Sequence, residues 1–220
     1  MATVLITGAN RGIGYALSTI FTQRGDEVIA VCRHSSAELD ALGVEVMAGI
    51  DVTEAESVAA LAKKLQGRRL DVLFNNAGIL VSQSLDTLCF DDVARQFEVN
   101  AMGPLRLTHA LLGNLGEGSK IAMVTSRMGS MADNGSGGQY GYRMSKAALN
   151  AASVSLAQDL KNRGIAVAIL HPGYVQTEMV GFGGEVTPAA AAGRLIARVD
   201  ALNLQNTGTF WHANGEVLPW

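Results

Sequence analysis

Short apolar runs alternate with longer stretches of helical periodicity along the chain. Residues 3–6 are rich in β-branched side chains and read as a strand. Residues 13–24 follow, with Ile13, Ala16, Leu17, Ile20 and Phe21 on one helical face, and Gly25 ends that helix. Residues 27–32 and 44–50 read as two further strands. Thr53 stands three positions before Glu56, the spacing of a capping box, and opens a helix to about residue 66. The continuous apolar run 72–74 suits a strand buried on both faces. A long helix spans 91–112, with a bend expected at Gly103-Pro104. A strand at 120–125, a helix at 142–162, a strand at 165–170, a helix at 188–202 and a last strand at 207–212 complete the pattern. Residues 130–138 read as an internal loop.

Strands separated by helices build right-handed βαβ units, and such units make a parallel sheet covered on both faces. The expected fold is therefore α/β: a three-layer, doubly wound Rossmann fold with a parallel sheet of about seven strands. The 220 residues suit a single domain, 1–220, with the substrate site built from its C-terminal loops.

Composition narrows the functional classes. Hydrophobic residues make up 48% and charged residues 17%, which excludes a disordered chain. The net charge of −3 gives no basic footprint for a nucleic acid. Two cysteines, Cys32 and Cys89, cannot form a disulfide framework. The first apolar run has neither a basic start nor the length of a signal peptide, so the expected location is the cytoplasm, away from membranes. The four histidines are scattered without ligand spacing, and no metal site is expected.

The first turn carries Gly8, Asn10, Arg11, Gly12, Ile13 and Gly14 between a strand and a helix. Glycines here let the backbone approach a pyrophosphate, and the helix start offers free N–H groups. Further motifs come in order: Asp51-Val52, Asn75-Asn76-Ala77-Gly78, Ser126, Tyr142-x-x-x-Lys146, and Pro172-Gly173 followed by Thr177. All but Tyr142-x-x-x-Lys146, which lies on the 142–162 helix, sit at or just beyond the end of an expected strand. Together they make the chain resemble the short-chain dehydrogenase/reductase family over essentially its whole length. Asn10-Arg11-Gly12, Cys32-Arg33, residues 140–143, residues 170–173 and Leu218-Pro219-Trp220 resemble, more narrowly, sniffer-type carbonyl reductases and C-factor-like proteins.

Tyr142 and Lys146 are four residues apart, so they share one helix face. A phenol titrates near 10, and a neighbouring Lys⁺ is expected to lower that value. Tyr140 is six residues from Lys146 and reads as a loop or pocket residue. Ser126, at a strand end, can donate to a carbonyl oxygen that gains negative charge. The resemblance implies that Tyr142 is the acid/base, that Lys146 also holds the nicotinamide ribose, and that Asn100 holds a water completing a proton relay. It further implies that Asp51 bonds the adenine amino group with Val52 packing nearby. Asn75, Ala77 and Gly78 would meet the cofactor, Asn75 also bracing the sheet. Val175 and Thr177 would meet the carboxamide, presented by Pro172 and Gly173. Residues 134–138 are an expected insertion at the pocket, and residues 178–186 an expected short, mobile cover.

The position after the second strand lacks the acid that favours NAD and holds Cys32, followed by Arg33. Arg33 and Arg11 can pair with a 2′-phosphate, so NADP(H) is preferred, with NAD(H) possible. The expected activity is NADPH-dependent reduction of a small-molecule carbonyl, or oxidation of a secondary alcohol. The alternative is an NADP(H)-binding regulatory or cell-signalling protein of the C-factor type with little turnover. Small residues along the 142–162 helix, with the family's habit, imply a homodimer or homotetramer.

Overall fold

Every residue from 1 to 220 is described by the computed structural model. The chain runs β1 (Thr3–Thr7), α1 (Gly12–Gln23), β2 (Glu27–Val31), α2 (Ala37–Asp40), β3 (Glu45–Met47) and α3 (Ala55–Lys64). It continues with β4 (Val72–Asn75), α4 (Phe90–Phe97), a π-helical turn (Glu98–Met102), α5 (Gly103–Ala110) and β5 (Lys120–Val124). It closes with α6 (Tyr140–Leu160), β6 (Ala166–His171), α7 (Pro188–Asp200) and β7 (Phe210–His212). The seven strands form one sheet in the order β3-β2-β1-β4-β5-β6-β7. All six pairings are parallel. This is the doubly wound α/β fold that the alternating pattern predicts.

The alternation of side chains along each strand divides the core in two. Val4, Ile6, Val28, Ala30, Ala122 and Val124 point to one face, where α1 and α7 cover them. Leu5, Ile29, Val31, Ile121 and Met123 point to the other, under α3, α5 and α6. Both faces being buried explains why the strands read as unbroken apolar runs.

Several boundaries differ from the expectation. The strands at 44–50 and 207–212 shrink to three residues each, because β3 and β7 are the sheet's edges and pair on one side only. The Thr53 capping box does not form. Thr53 instead gives its N–H and hydroxyl to Asp51 Oδ1, at 2.9 and 2.7 Å, and α3 starts at Ala55. The four-residue α2 is too short to show a period. α6 begins at Tyr140, two residues early, so Tyr140 is helical rather than a loop residue. Gln83 sets that start: its Oε1 accepts from Gly141 N and its carbonyl from Gln139 N. The bend near Gly103-Pro104 is a π-helical turn. Pro104 has no N–H to give to the carbonyl four residues back, and the turn widens around Asn100. No helix is long and apolar enough to cross a membrane.

At the far edge, the His171 ring meets His212 edge-on at 5.0 Å between centroids, and its Nδ1 is buried without a partner. Burial, aided by His212 and Arg127, pushes the His171 imidazole down to about 3. The unfolded chain protonates this group near its ordinary 6.5, the folded chain only near 3. Stability from this site is therefore complete above pH 6.5 and is lost as pH falls toward 3. Urea unfolding of His171→Asn at about neutral pH and at about pH 5 should show a shallower loss of stability than the parent chain.

Candidate active site

The C-terminal edge of the sheet opens into a cleft of about 940 Å³. It lies where β1 parts β2 from β4, the switch point at which open α/β sheets bind ligands. One wall is the turn from β1 into α1. Gly8 and Gly12 take φ of 64° and 54°, open to glycine. A Cβ on Gly14 would stand 2.0 Å from the Gly8 carbonyl oxygen and 2.7 Å from Asn76 Nδ2, so only glycine lets α1 start so tightly. Asn10, Arg11, Gly12 and Ile13 line the cleft beside Gly8, and Gly14 lies behind them. Arg11 occupies the N-cap without capping, which leaves the first N–H groups of α1 to other acceptors.

The β4 turn is tied to this wall. Thr7 Oγ1 accepts from Asn76 N and Ala77 N, both at 3.0 Å, and Asn76 Nδ2 donates to the Thr7 carbonyl at 2.9 Å. Ala77 and Gly78 face the cleft. Asn75 is buried below it, donating to Thr108 Oγ1 at 3.1 Å, with its own Oδ1 unpartnered. It braces the β4 end against α5 and does not reach the cleft wall. Asn76 does reach it, and its place inside the Asn-Asn-Ala-Gly motif was the available signal.

Arg33, Asp51 and Val52 border one end of the cleft, with Arg95 and Val99. Burial pushes the Asp51 carboxyl up, but the two bonds from Thr53 and the charges of Arg33 and Arg95 outweigh it and hold it low. Val52 packs on the start of α5: a Cβ on Gly103 would lie 2.8 Å from Val52 Cγ2.

Tyr142 and Lys146 border the other end, both from α6 and both almost fully buried. Lys146 Nζ donates to the Val124 carbonyl at 2.9 Å and lies 5.8 Å from the Tyr142 ring centre. Burial pushes the Tyr142 phenol up to about 12, with the Ser126 hydroxyl opposing it, and pushes Lys146 down to about 8. The expected lowering of the phenol by Lys146 is thus reversed in sign. Desolvation of both groups dominates, and the ammonium is directed at Val124 rather than at the phenol oxygen. Ser126 stands beside Tyr142 at the end of β5, its Oγ accepting from Met128 N at 3.1 Å.

Asn100 is fully buried in the π-helical turn. Its Oδ1 accepts from Ile79 N at 2.8 Å, and its Nδ2 donates to the Ile79 carbonyl at 2.9 Å and to Ser145 Oγ at 3.0 Å. A Cβ on Gly78 would stand 3.2 Å from Asn100 Oδ1 and 3.6 Å from Lys146 Nζ, so Asn100 lies just behind the ammonium. Pro172, Gln176, Thr177, Glu178, Met179 and Phe182 form the last wall. Gly173, at φ 92°, turns the chain there, and Val175 packs behind, bridged to Val186. Residues 134–138 are not part of the wall; Ser136 instead holds Arg143 at 2.9 Å.

The fold and this cleft are those of the doubly wound, Rossmann type. The family model described as "short chain dehydrogenase" matches residues 2–185, and the chain belongs to that family. It is 43% identical to 1-hydroxy-2-glutathionyl-2-methyl-3-butene dehydrogenase of Rhodococcus sp. (strain AD45), over 100% of both chains. It is 44% identical to C-signal of Myxococcus xanthus, over 69% of this chain and 93% of that one. The NADPH-bound carbonyl reductase from chicken fatty liver superposes with a TM-score of 0.90 at 29% identity, covering 100% of this chain and 99% of the other. Carbonyl reductase Sniffer of D. melanogaster does so with a TM-score of 0.91 at 27% identity over 100% of both.

Asn100 generates a stability prediction. Asn100→Ala leaves Ile79 N and O without these partners in a partly buried place, which costs about 2 kcal/mol. Chemical denaturation should show that loss even without any ligand.

Proposed function

We propose that this chain is an NADP(H)-dependent oxidoreductase that interconverts a small-molecule carbonyl and its alcohol. The single observation that carries the reading is the buried pair at the cleft's end: a phenol held protonated beside Ser126, with an ammonium one helical turn behind it. Binding alone has no need of a buried, proton-bearing phenol. The cradle fits a dinucleotide: Gly8, Gly12 and Gly78 line a cleft of about 940 Å³ without presenting a side chain to it, and α1 has no side-chain cap on its first N–H groups. Gly8, Asn10, Arg11, Gly12, Ile13, Gly14, Ala77, Gly78, Pro172, Gly173, Val175 and Thr177 would shape or line its site. Asp51 and Val52 would meet the adenine, and Arg33 the 2′-phosphate. The NADPH in the chicken carbonyl reductase supports that choice.

When bound, the nicotinamide supplies or takes the hydride. Ser126 Oγ and the Tyr142 hydroxyl orient the carbonyl oxygen and stabilise its developing charge. Tyr142 gives the proton in reduction, and Lys146, positioned by the Val124 carbonyl, restores it through the water that Asn100 would hold. Burial keeps the phenol protonated at neutral pH, so the proton that reduction requires is present on it. The relative named as a dehydrogenase of a glutathionyl alcohol supports an alcohol/carbonyl substrate and leaves the acyl or conjugate portion open to the pocket walls. The C-signal relative supports the second reading, a regulatory protein that binds NADP(H) with little turnover.

Tyr142→Phe should lower carbonyl-dependent NADPH oxidation at least about a hundredfold while the Kd for NADPH stays within about twofold, since general acid catalysis contributes this much. Unchanged turnover in that variant refutes the mechanism, and saturable NADPH binding with no turnover on a broad carbonyl panel favours the regulatory reading. The rate of reduction should be flat at neutral pH and fall as pH rises through about 8, where Lys146 loses its proton. We also infer a homo-oligomer, since Phe90, Phe97 and Met144 leave apolar surface exposed on α4 and α6. Light scattering that returns a 23.1 kDa particle at all concentrations contradicts this.

A further inference from the structure

Three arginines, Arg11, Arg33 and Arg95, reach the cofactor cleft, and the first two each already have a carboxylate. Arg33 Nη1 lies 3.9 Å from Asp51 Oδ2, outside hydrogen-bond distance. Arg11 Nη1, by contrast, pairs directly with Glu178 Oε2. The partners come from opposite walls. Arg11 belongs to the turn between β1 and α1, and Glu178 opens the short 3₁₀ turn Glu178–Val180. Beneath the pair the walls touch: a Cβ on Gly12 would stand 3.2 Å from Thr177 Cγ2. The ion pair therefore bridges two wall segments of the cleft.

Both side chains are 67% exposed. An exposed ion pair changes an equilibrium by about fivefold at most, so a stronger anion can displace it. A guanidinium presents one planar fork, which suits a phosphate and a carboxylate alike but binds them in turn. NAD(H) ends in an uncharged 2′-hydroxyl and makes no claim on that fork. A 2′-phosphate does.

We propose that Glu178 is a specificity-determining residue for the cofactor. Its carboxylate competes with the 2′-phosphate of NADP(H) for the Arg11 guanidinium and so restrains the preference for NADP(H) over NAD(H). Arg33 supplies the constant part of 2′-phosphate recognition, because Asp51 is held by Thr53 and does not engage Arg33 closely. Arg11 supplies the part that Glu178 adjusts. The inference rests on the NADP(H) reading above.

The test is calorimetric and needs no turnover. NADP⁺ and NAD⁺ are titrated into the full chain, with 2′,5′-ADP and 5′-AMP as fragments that lack the nicotinamide half. Glu178→Gln should bind NADP⁺ and 2′,5′-ADP about three- to fivefold more tightly, the range an exposed pair allows. NAD⁺ and 5′-AMP should stay within about twofold. In an Arg11→Ala background the same substitution should have no effect. The inference is overturned if Glu178→Gln shifts both cofactors alike, leaves NADP⁺ unchanged, or still acts without Arg11. Arg33→Ala separates the two levels. If it weakens NADP⁺ while Glu178→Gln is silent, the cofactor reading stands and the role of Glu178 falls. A parent chain that binds NAD⁺ more tightly than NADP⁺ overturns both.

Discussion

Lys146 is an amino group held in the interior by a single protein hydrogen bond, to the carbonyl of Val124. Burying a cation is costly unless something compensates, and the folded chain responds by bringing its titration down to about 8. Much else is arranged around this constraint. β5 must end at Val124 to present its carbonyl. α6 must start early enough to put Tyr142 and Lys146 on the face toward β5. Gln83 fixes that start, and the π-helical turn brings Asn100 behind the ammonium. The glycine at 78 keeps the space between Asn100 and Lys146 free of a side chain. Removing any one of these supports alters where the proton-bearing groups sit.

The rest of the fold supplies rigidity rather than chemistry. Two apolar layers, one on each face of the sheet, anchor the C-terminal ends of β1, β4 and β5 within one edge. The cleft is built where those ends meet, from turns tied together by Thr7 and Asn76. The other wall is a short connecting segment. The segment after Thr177 contains Gly181 and Phe182, both at positive φ, and is fastened at its base by Val175 and Val186. A rigid wall of turns and a lighter opposite wall suit a site that must admit a long dinucleotide and then a second molecule.

The central strands were legible because burial on both faces writes them as unbroken apolar runs. The edge strands were overextended, since a lone neighbour supports fewer pairs than an apolar pattern suggests. Ser126, Tyr142, Lys146 and the glycine turn could be read from spacing, and the cleft brings the turn, Tyr142 and Lys146 together with Ser126 alongside. Local chemistry misled in two places. Thr53 looked like a helix cap, but Asp51 is a nearer acceptor. The phenol was expected to be lowered by its lysine, but desolvation is a property of the folded interior and leaves no trace in spacing. Other features are long-range by nature. Gln83 meets the start of α6 more than fifty residues away, and Arg11 meets Glu178 across 167 positions. No periodicity connects such pairs.

In the proposed reaction a hydride passes between a nicotinamide and a carbonyl carbon while the buried phenol supplies the proton. The most direct measurement follows the label itself. The protein is incubated with NADPH deuterated at C4, in each stereochemical form, and with a panel of aldehydes, ketones and diketones. The account predicts an alcohol carrying deuterium on the former carbonyl carbon, from one of the two labelled forms only. Alcohol without deuterium at that carbon, or no alcohol from any carbonyl despite bound NADPH, would contradict it.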